Sequence, residues 1–237
     1  MSGCLNKDLW GDQMSVNNEV MEHENGAGGE KPSIIGIFTS PLVQLERIKQ
    51  NPKVLVPLLI FMAIGLVSSL LVAFGLNMTD LATPEELAMM PEGFEVFVRM
   101  TVVMGGIFTI LLVPLISAAV QLLIAKLAAK DVTFKQLFSM NLFVGFISLA
   151  GGLLNSVIAF LFGLSLLSTF TSLGTFVEMD HALFPLLNTI EIFTIWGFVI
   201  LAFGLQKVAG FGKLASWVIV TIFFVIMILL SLTGTGV

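Results

Sequence analysis

The amino-acid sequence predicts an all-α, polytopic membrane helix bundle, with about five transmembrane helices preceded by an interfacial amphipathic helix. Three observations support this fold class. Hydrophobic residues make up 57% of the 237 residues and charged residues only 11%, whereas a soluble domain carries about 25% charged residues. Charge-free runs long enough to cross a bilayer recur along the chain. The basic residues fall mainly between these runs, as they do in the loops that orient membrane helices.

The same composition excludes several classes of protein. A net charge of -5 with few, scattered basic residues is not the footprint of nucleic-acid binding, so no nucleic-acid partner is expected. The single cysteine, Cys4, cannot form an internal disulfide. The sequence contains no zinc-protease, phosphate-loop or nucleophile-elbow motif. We therefore expect no catalytic residue, no metal, no cofactor and no enzymatic activity.

The chain divides into a polar tail and a membrane domain. Residues 1–32 contain few apolar side chains, and such a segment cannot bury enough surface to offset the entropy lost on ordering. We expect 1–32 to be a disordered cytoplasmic tail and 33–237 to be the membrane domain. The expected spans are 54–76, 100–125, 139–167, 184–206 and 214–233.

The hardest stretch to assign is 136–177, which has 42 residues and no charge. It holds either one span and a loop, or two spans with a turn near "AGGLLN". With one span, ten of the eleven basic residues share one face, and Arg99 is the exception. The positive-inside rule favours this arrangement. It places the N-terminus in the cytoplasm, the C-terminus outside the cell membrane, and 168–184 in an outer loop.

A short amphipathic helix is predicted just before the first span. Ser40 suits its N-cap and Pro41 its first turn, while Asn51 before Pro52 ends it. A helix of this kind should lie in the plane of the membrane interface. It either anchors the first span or also offers a docking surface to a cytoplasmic partner. The residues of such a surface would be Leu42, Leu45, Arg47 and Ile48.

Glu191 is the only ionisable residue well inside a predicted span, which makes it a candidate functional site. Asn188, Glu191 and Thr194 recur at helical spacing and should share one face. Glu191 is either a proton or cation site, or a carboxyl that hydrogen-bonds a neighbouring helix, such as the one carrying Asn155 or Gln121.

Small residues recur every fourth position in the second and third spans, where they would let helices approach closely. These stripes are Thr101, Gly105 and Thr109 in the second span, and Ser148, Gly152 and Ser156 in the third.

Three segments resemble the YIP domain family, multi-span membrane proteins whose eukaryotic founders interact with Ypt/Rab GTPases. They are "IFTSPLVQLERIKQNPKVLVPLLI", "KLAAKDVTFKQLFSMNLF" and "IWGFVILAFGLQKVAGFGKLASWVIV". The resemblance covers roughly 37–233 and looks bacterial in form. It implies structural roles, and no catalytic ones, for Pro41, Pro52, Trp196 and Gly204. Similar bacterial members are thought to act beside an ABC-type exporter and to protect against a toxic peptide.

The expected function is therefore a non-enzymatic membrane adaptor that binds and assists another membrane complex. The resemblance implies subunits of an ABC-type exporter as partners, besides the lipid bilayer itself. The alternative is a small transporter or channel with Glu191 as its intramembrane proton or cation site. An intramembrane enzyme would need paired acids, a serine with a base, or histidine ligands inside the spans, and the spans contain none of these.

Overall fold

The computed structural model describes residues 30–162, 169–178 and 181–232. Within these ranges the chain is helical apart from short turns, and the predicted all-α membrane fold is confirmed. The helices are α1 Gly36–Thr39, α2 Pro41–Gln50, α3 Leu55–Gly75, α4 Pro84–Met89, α5 Phe94–Leu127, α6 Phe134–Phe162, α7 Phe184–Thr189, α8 Ile192–Lys207 and α9 Lys213–Leu232. The predicted disordered tail lies almost wholly outside the described residues.

Four of these helices, α3, α5, α6 and α9, are long and apolar enough to cross a membrane, and α8 is a shorter apolar helix. Helix α3 coincides with the predicted span 54–76, and α5 extends beyond both ends of 100–125. Helix α6 is the one long helix described within 136–177, as the charge distribution favoured. It begins at Phe134, earlier than the expected 139, and 163–167 lie outside the described residues.

The residues predicted as one span, 184–206, do not form one continuous helix. Two helices, α7 and α8, replace it, and Ile190 and Glu191 between them leave the helical conformation. The 16 residues of α8 are too few to cross a hydrocarbon core that needs about 20. Within the expected outer loop, residues 169–178 fold against α7 and bury Ser172.

Helix α6 is the centre of the bundle. Half of its most apolar 18-residue stretch is buried inside the protein, whereas at most 22% of the corresponding stretch is buried in α3, α5 and α9. Helices α3, α5 and α8 all pack on it, and α9 packs on α8. This arrangement leaves the outward faces of α5 and α9 to the lipid, which explains why so many of their large apolar side chains are exposed.

Lysines collect at one end of the bundle, which we call the basic end. They flank the start of α3, the α5–α6 connection and the α8–α9 connection: Lys53, Lys126, Lys130, Lys135, Lys207 and Lys213. Contacts tie these regions together, since the Ser139 hydroxyl near the start of α6 donates to the Lys53 carbonyl at 2.7 Å.

A buried pair of amides joins α5 to α6. Gln121 Nε2 donates to Asn141 Oδ1 at 3.1 Å, and Asn141 Nδ2 donates back to Gln121 Oε1 at 2.7 Å. Neither side chain is more than 9% exposed. Reciprocal bonding satisfies both amides where no water is at hand.

We predict that Asn141→Leu lowers the free energy of unfolding by about 1–2 kcal/mol, because it leaves the buried Gln121 amide without a partner. The double variant Gln121→Leu with Asn141→Leu should recover much of this loss. The measurement is denaturant titration in detergent micelles, and equal losses in the single and double variants would contradict the pairing.

Candidate functional site

Glu191 sits at the break between α7 and α8 and caps the N-terminus of α8. Its backbone is extended, with φ -122° and ψ 142°. Its Oε2 accepts from the Thr194 backbone N–H at 2.6 Å, the bond that an N-cap side chain makes to the third residue of a helix. The side chain is buried, at 6% exposure. Glu191 therefore lies between two helices and caps the second of them, and the predicted continuous stripe with Asn188 and Thr194 is interrupted.

The second carboxylate oxygen of Glu191 leads to α6. Its Oε1 accepts from the Thr171 hydroxyl at 2.6 Å, and that hydroxyl accepts from Asn155 Nδ2 at 2.8 Å. Asn155 Oδ1 in turn accepts from the Thr171 backbone N–H at 3.1 Å. Glu191 is thus linked to the helix carrying Asn155, as one of the two sequence interpretations proposed, and the link runs through Thr171.

The backbone around the break is paired with the segment 169–178. Ser172 and Glu191 form an isolated antiparallel bridge, in which the Leu173 N–H donates to the Ile190 carbonyl at 3.0 Å and the Ile192 N–H to the Thr171 carbonyl at 3.3 Å. Glu191 lies 16 residues before Lys207, which corresponds to about 24 Å along a helix. Non-helical backbone at membrane depth has to be satisfied by protein in this way.

Asn188 holds the other end of the same segment. Its Oδ1 accepts from the Thr169 backbone N–H at 3.0 Å. Gly174 allows the close approach, because a Cβ at this position would lie 2.9 Å from the Asn188 Cα. We name Asn155, Thr169, Thr171, Ser172, Asn188 and Glu191 the polar cluster. The structure thus brings the two predicted intramembrane polar residues, Asn188 and Glu191, together.

The sequence interpretation missed the hydroxyl residues of this cluster. A signal was present, since "STFTS" at 168–172 is a polar run within a long apolar stretch. Both oxygens of Glu191 are occupied by donors of the chain itself. The geometry therefore supports a structural cap, and the proton or cation site stays a prediction.

The predicted docking residues on α2 fall into two groups. Leu45 and Ile48 are fully buried against the bundle, whereas Leu42 is 43% exposed. Arg47 forms an ion pair with Glu30 near the surface. Burial of Leu45 and Ile48 inside the chain removes them from any surface open to a partner, and it leaves Leu42 and Arg47. Ser40 precedes the helix as expected, but its side chain makes no capping hydrogen bond.

Polar bonds fix α2 to the basic end. Gln136 Nε2 donates to the Lys49 carbonyl at 2.7 Å, and Lys207 Nζ donates to Glu46 Oε1 at 2.6 Å. Lys207 lowers the pKa of the Glu46 carboxyl below its ordinary value through this bond and its charge. A lowered pKa means that the pair stabilises the fold at neutral pH and that this contribution is lost as the pH falls through the lowered pKa. The pair is exposed, so the contribution is small.

Trp196 and Gly204, two residues of the family pattern, contact the N-terminal segment that contains Phe38 and Leu45. The Phe38 and Trp196 rings meet edge to face with centroids 5.8 Å apart. A Cβ on Gly204 would lie 2.6 Å from Met140 Sδ and 3.4 Å from Leu45 Cδ2. Glycine at 204 therefore lets α2 and α6 pack closely against α8, which is a structural role of the kind the resemblance implied.

The helices, their lipid-facing surfaces and the sealed break define a multi-pass α-helical membrane protein. The chain belongs to the Yip1 domain family, whose family model matches residues 35–234. It is 37% identical over 220 residues to a protein named "Membrane protein YknW" from Bacillus subtilis (strain 168), covering 90% of this chain and 94% of that protein. No solved structure matches the chain.

We predict that Glu191→Ala destabilises the protein by about 0.5–2 kcal/mol, the usual cost of losing an N-cap. The loss should be accompanied by faster proteolysis within 169–178, because the Thr171 hydroxyl loses its acceptor. The matched control is Glu178→Ala, which removes an exposed acid of the same segment. Equal behaviour of the two variants in unfolding titration and limited proteolysis would contradict the capping role.

Proposed function

We propose that this protein is a non-enzymatic integral membrane adaptor that binds and assists another membrane complex. The partner proposed from the family resemblance is an ABC-type exporter that protects the cell against a toxic peptide. The basic end faces the cytoplasm, in accordance with the positive-inside rule. The protein then sits in the cell membrane with its N-terminus inside and the end of α9 outside.

One observation supports the adaptor proposal: the buried polar side chains form their hydrogen bonds with other groups of the same chain. Among the described residues, Ser68 Oγ is the one buried side-chain nitrogen or oxygen without a hydrogen-bond partner. Gln121 pairs with Asn141, and Glu191 joins the polar cluster. A transport path needs polar groups that face water or a substrate. Polar groups that bond one another instead hold a scaffold together.

The small-residue stripes support a helical partner. A Cβ on Gly105 or on Gly152 would meet no atom within 4 Å, so these glycines are not needed for packing inside the chain. Both lie on exposed positions of span helices. Small residues on a lipid-facing helix let another membrane helix approach closely. We propose that the partner's helices pack on these positions.

The proposal is tested by purifying the tagged chain from its native membrane in mild detergent and identifying bound proteins by mass spectrometry. We expect the permease and ATPase subunits of an exporter at near-stoichiometric yield. Recovery of the chain alone, from several mild detergents, would contradict the proposal.

Gly152→Ile should reduce the co-purified partner several-fold while leaving thermal stability unchanged, because the position is open within the chain. The matched control is Ala63→Ile, at an exposed position of α3, which should keep the partner. Loss of stability in Gly152→Ile, or equal partner recovery in both variants, would contradict the assignment of this surface.

A further inference from the structure

The segment 30–50 runs alongside α8, and its contacts follow α8 in order. Phe38 meets Trp196 at 5.8 Å between ring centroids. Leu45 Cδ2 lies 3.4 Å from the place of a Cβ on Gly204. Glu46 Oε1 then accepts from Lys207 Nζ at 2.6 Å. The partners on α8 advance by 11 residues from 196 to 207, which is about 16 Å along a helix.

The segment consists of two limbs joined by a turn near Phe38, and the outer end of each limb lies at the basic end. The Lys49 carbonyl accepts from Gln136 at the start of α6, and Glu30 forms its ion pair with Arg47. The chain therefore enters near the basic end, turns close to Phe38 and returns. A helix lying in the interface plane would contact the ends of the span helices, and it would not follow one of them for about half of the roughly 30 Å hydrocarbon thickness.

We propose that residues 30–50 form a re-entrant hairpin that enters the bilayer from the basic end and presents its outer face to the acyl chains of that leaflet. The distribution of charge agrees with this geometry. Residues 32–45 carry no charge. The charged side chains all lie at the two outer ends of the hairpin, which we call its feet: Glu30, Lys31, Glu46, Arg47 and Lys49. Charges spread along the whole polar face are expected of an in-plane helix.

The turn of the hairpin satisfies its own backbone, as non-helical chain at membrane depth must. Gln44 is 3% exposed, and its Oε1 accepts from the Ser33 backbone N–H at 2.7 Å. The Gly36 N–H donates to Ser33 Oγ at 3.2 Å, and the Ser40 N–H donates to the Gly36 carbonyl at 2.8 Å. A Cβ on Gly36 would lie 2.5 Å from Gln44 Nε2, so glycine is what lets the two limbs touch.

The outer face of the hairpin is apolar. Ile35 is 77% exposed and Val43 is 47% exposed, whereas Ile37 and Leu45 on the inner face are fully buried. The exposed side chains lie on the limbs that follow α8 into the bundle, away from the charged feet. Acyl chains are the medium at that depth, so they are the occupant that the position of this face requires.

The test is a depth measurement with site-directed spin labels on the full chain in lipid vesicles. Cys4→Ser removes the single native cysteine, and Ile35→Cys, Val43→Cys and Lys49→Cys are labelled one at a time. The matched references are Ile222→Cys on the exposed face of α9 and Asp131→Cys in the α5–α6 connection. Collision with oxygen reports the hydrocarbon, and collision with a water-soluble nickel chelate reports the aqueous phase.

We expect the labels at 35 and 43 to behave like the label at 222, with high oxygen and low nickel collision, and the label at 49 to behave like the label at 131. The depths at 43 and 49 should differ by about 9 Å, the rise of six residues along α2. Equal depths at 35, 43 and 49 would overturn the proposal in favour of an in-plane helix. Nickel access at 35 would overturn it in favour of a cap outside the bilayer.

Discussion

The hydrocarbon of a bilayer offers no hydrogen-bond partner, and this constraint organises the whole structure. The span helices satisfy their backbone internally, so each departure from helix must be satisfied by other parts of the chain. Two such departures are described. At the break before α8, Asn155, Thr171 and Glu191 supply the bonds. At the turn before α2, Ser33 and Gln44 do the same.

Both sealed turns lie toward the N-terminal end of α8 and help to position this short helix. Glu191 caps its first turn, and Phe38 at the turn of the hairpin contacts Trp196. The second limb of the hairpin then follows α8 to Gly204 and Lys207. Helix α6 carries both arrangements, because Asn155 reaches the first and Gln136 the second. The polar side chains are thereby committed to holding the scaffold, and the apolar outer faces of α5 and α9 remain for lipid or for a membrane partner.

Sequence reasoning predicted the long helices, because a charge-free run of span length has few other solutions in a bilayer. It also predicted the bounds of α2, since Pro41 and Asn51-Pro52 act locally. It did not predict the break at Glu191, because the side chains that seal it, Thr171 and Asn155, lie 20 and 36 residues away along the chain. It placed α2 in the interface plane because periodicity shows which face is apolar but not which surface covers it. Leu45 is covered by the bundle.

Amide hydrogen exchange of the protein in lipid nanodiscs, followed by peptide mass spectrometry, tests the central claim most directly. If the two turns are sealed by the chain's own side chains, peptides covering 169–178 and 33–40 should be protected for nearly as long as peptides of α6. The exposed α4 segment with its capping box at Thr83 should exchange rapidly and gives the internal reference. Exchange at the two turns as fast as in α4 would contradict the account.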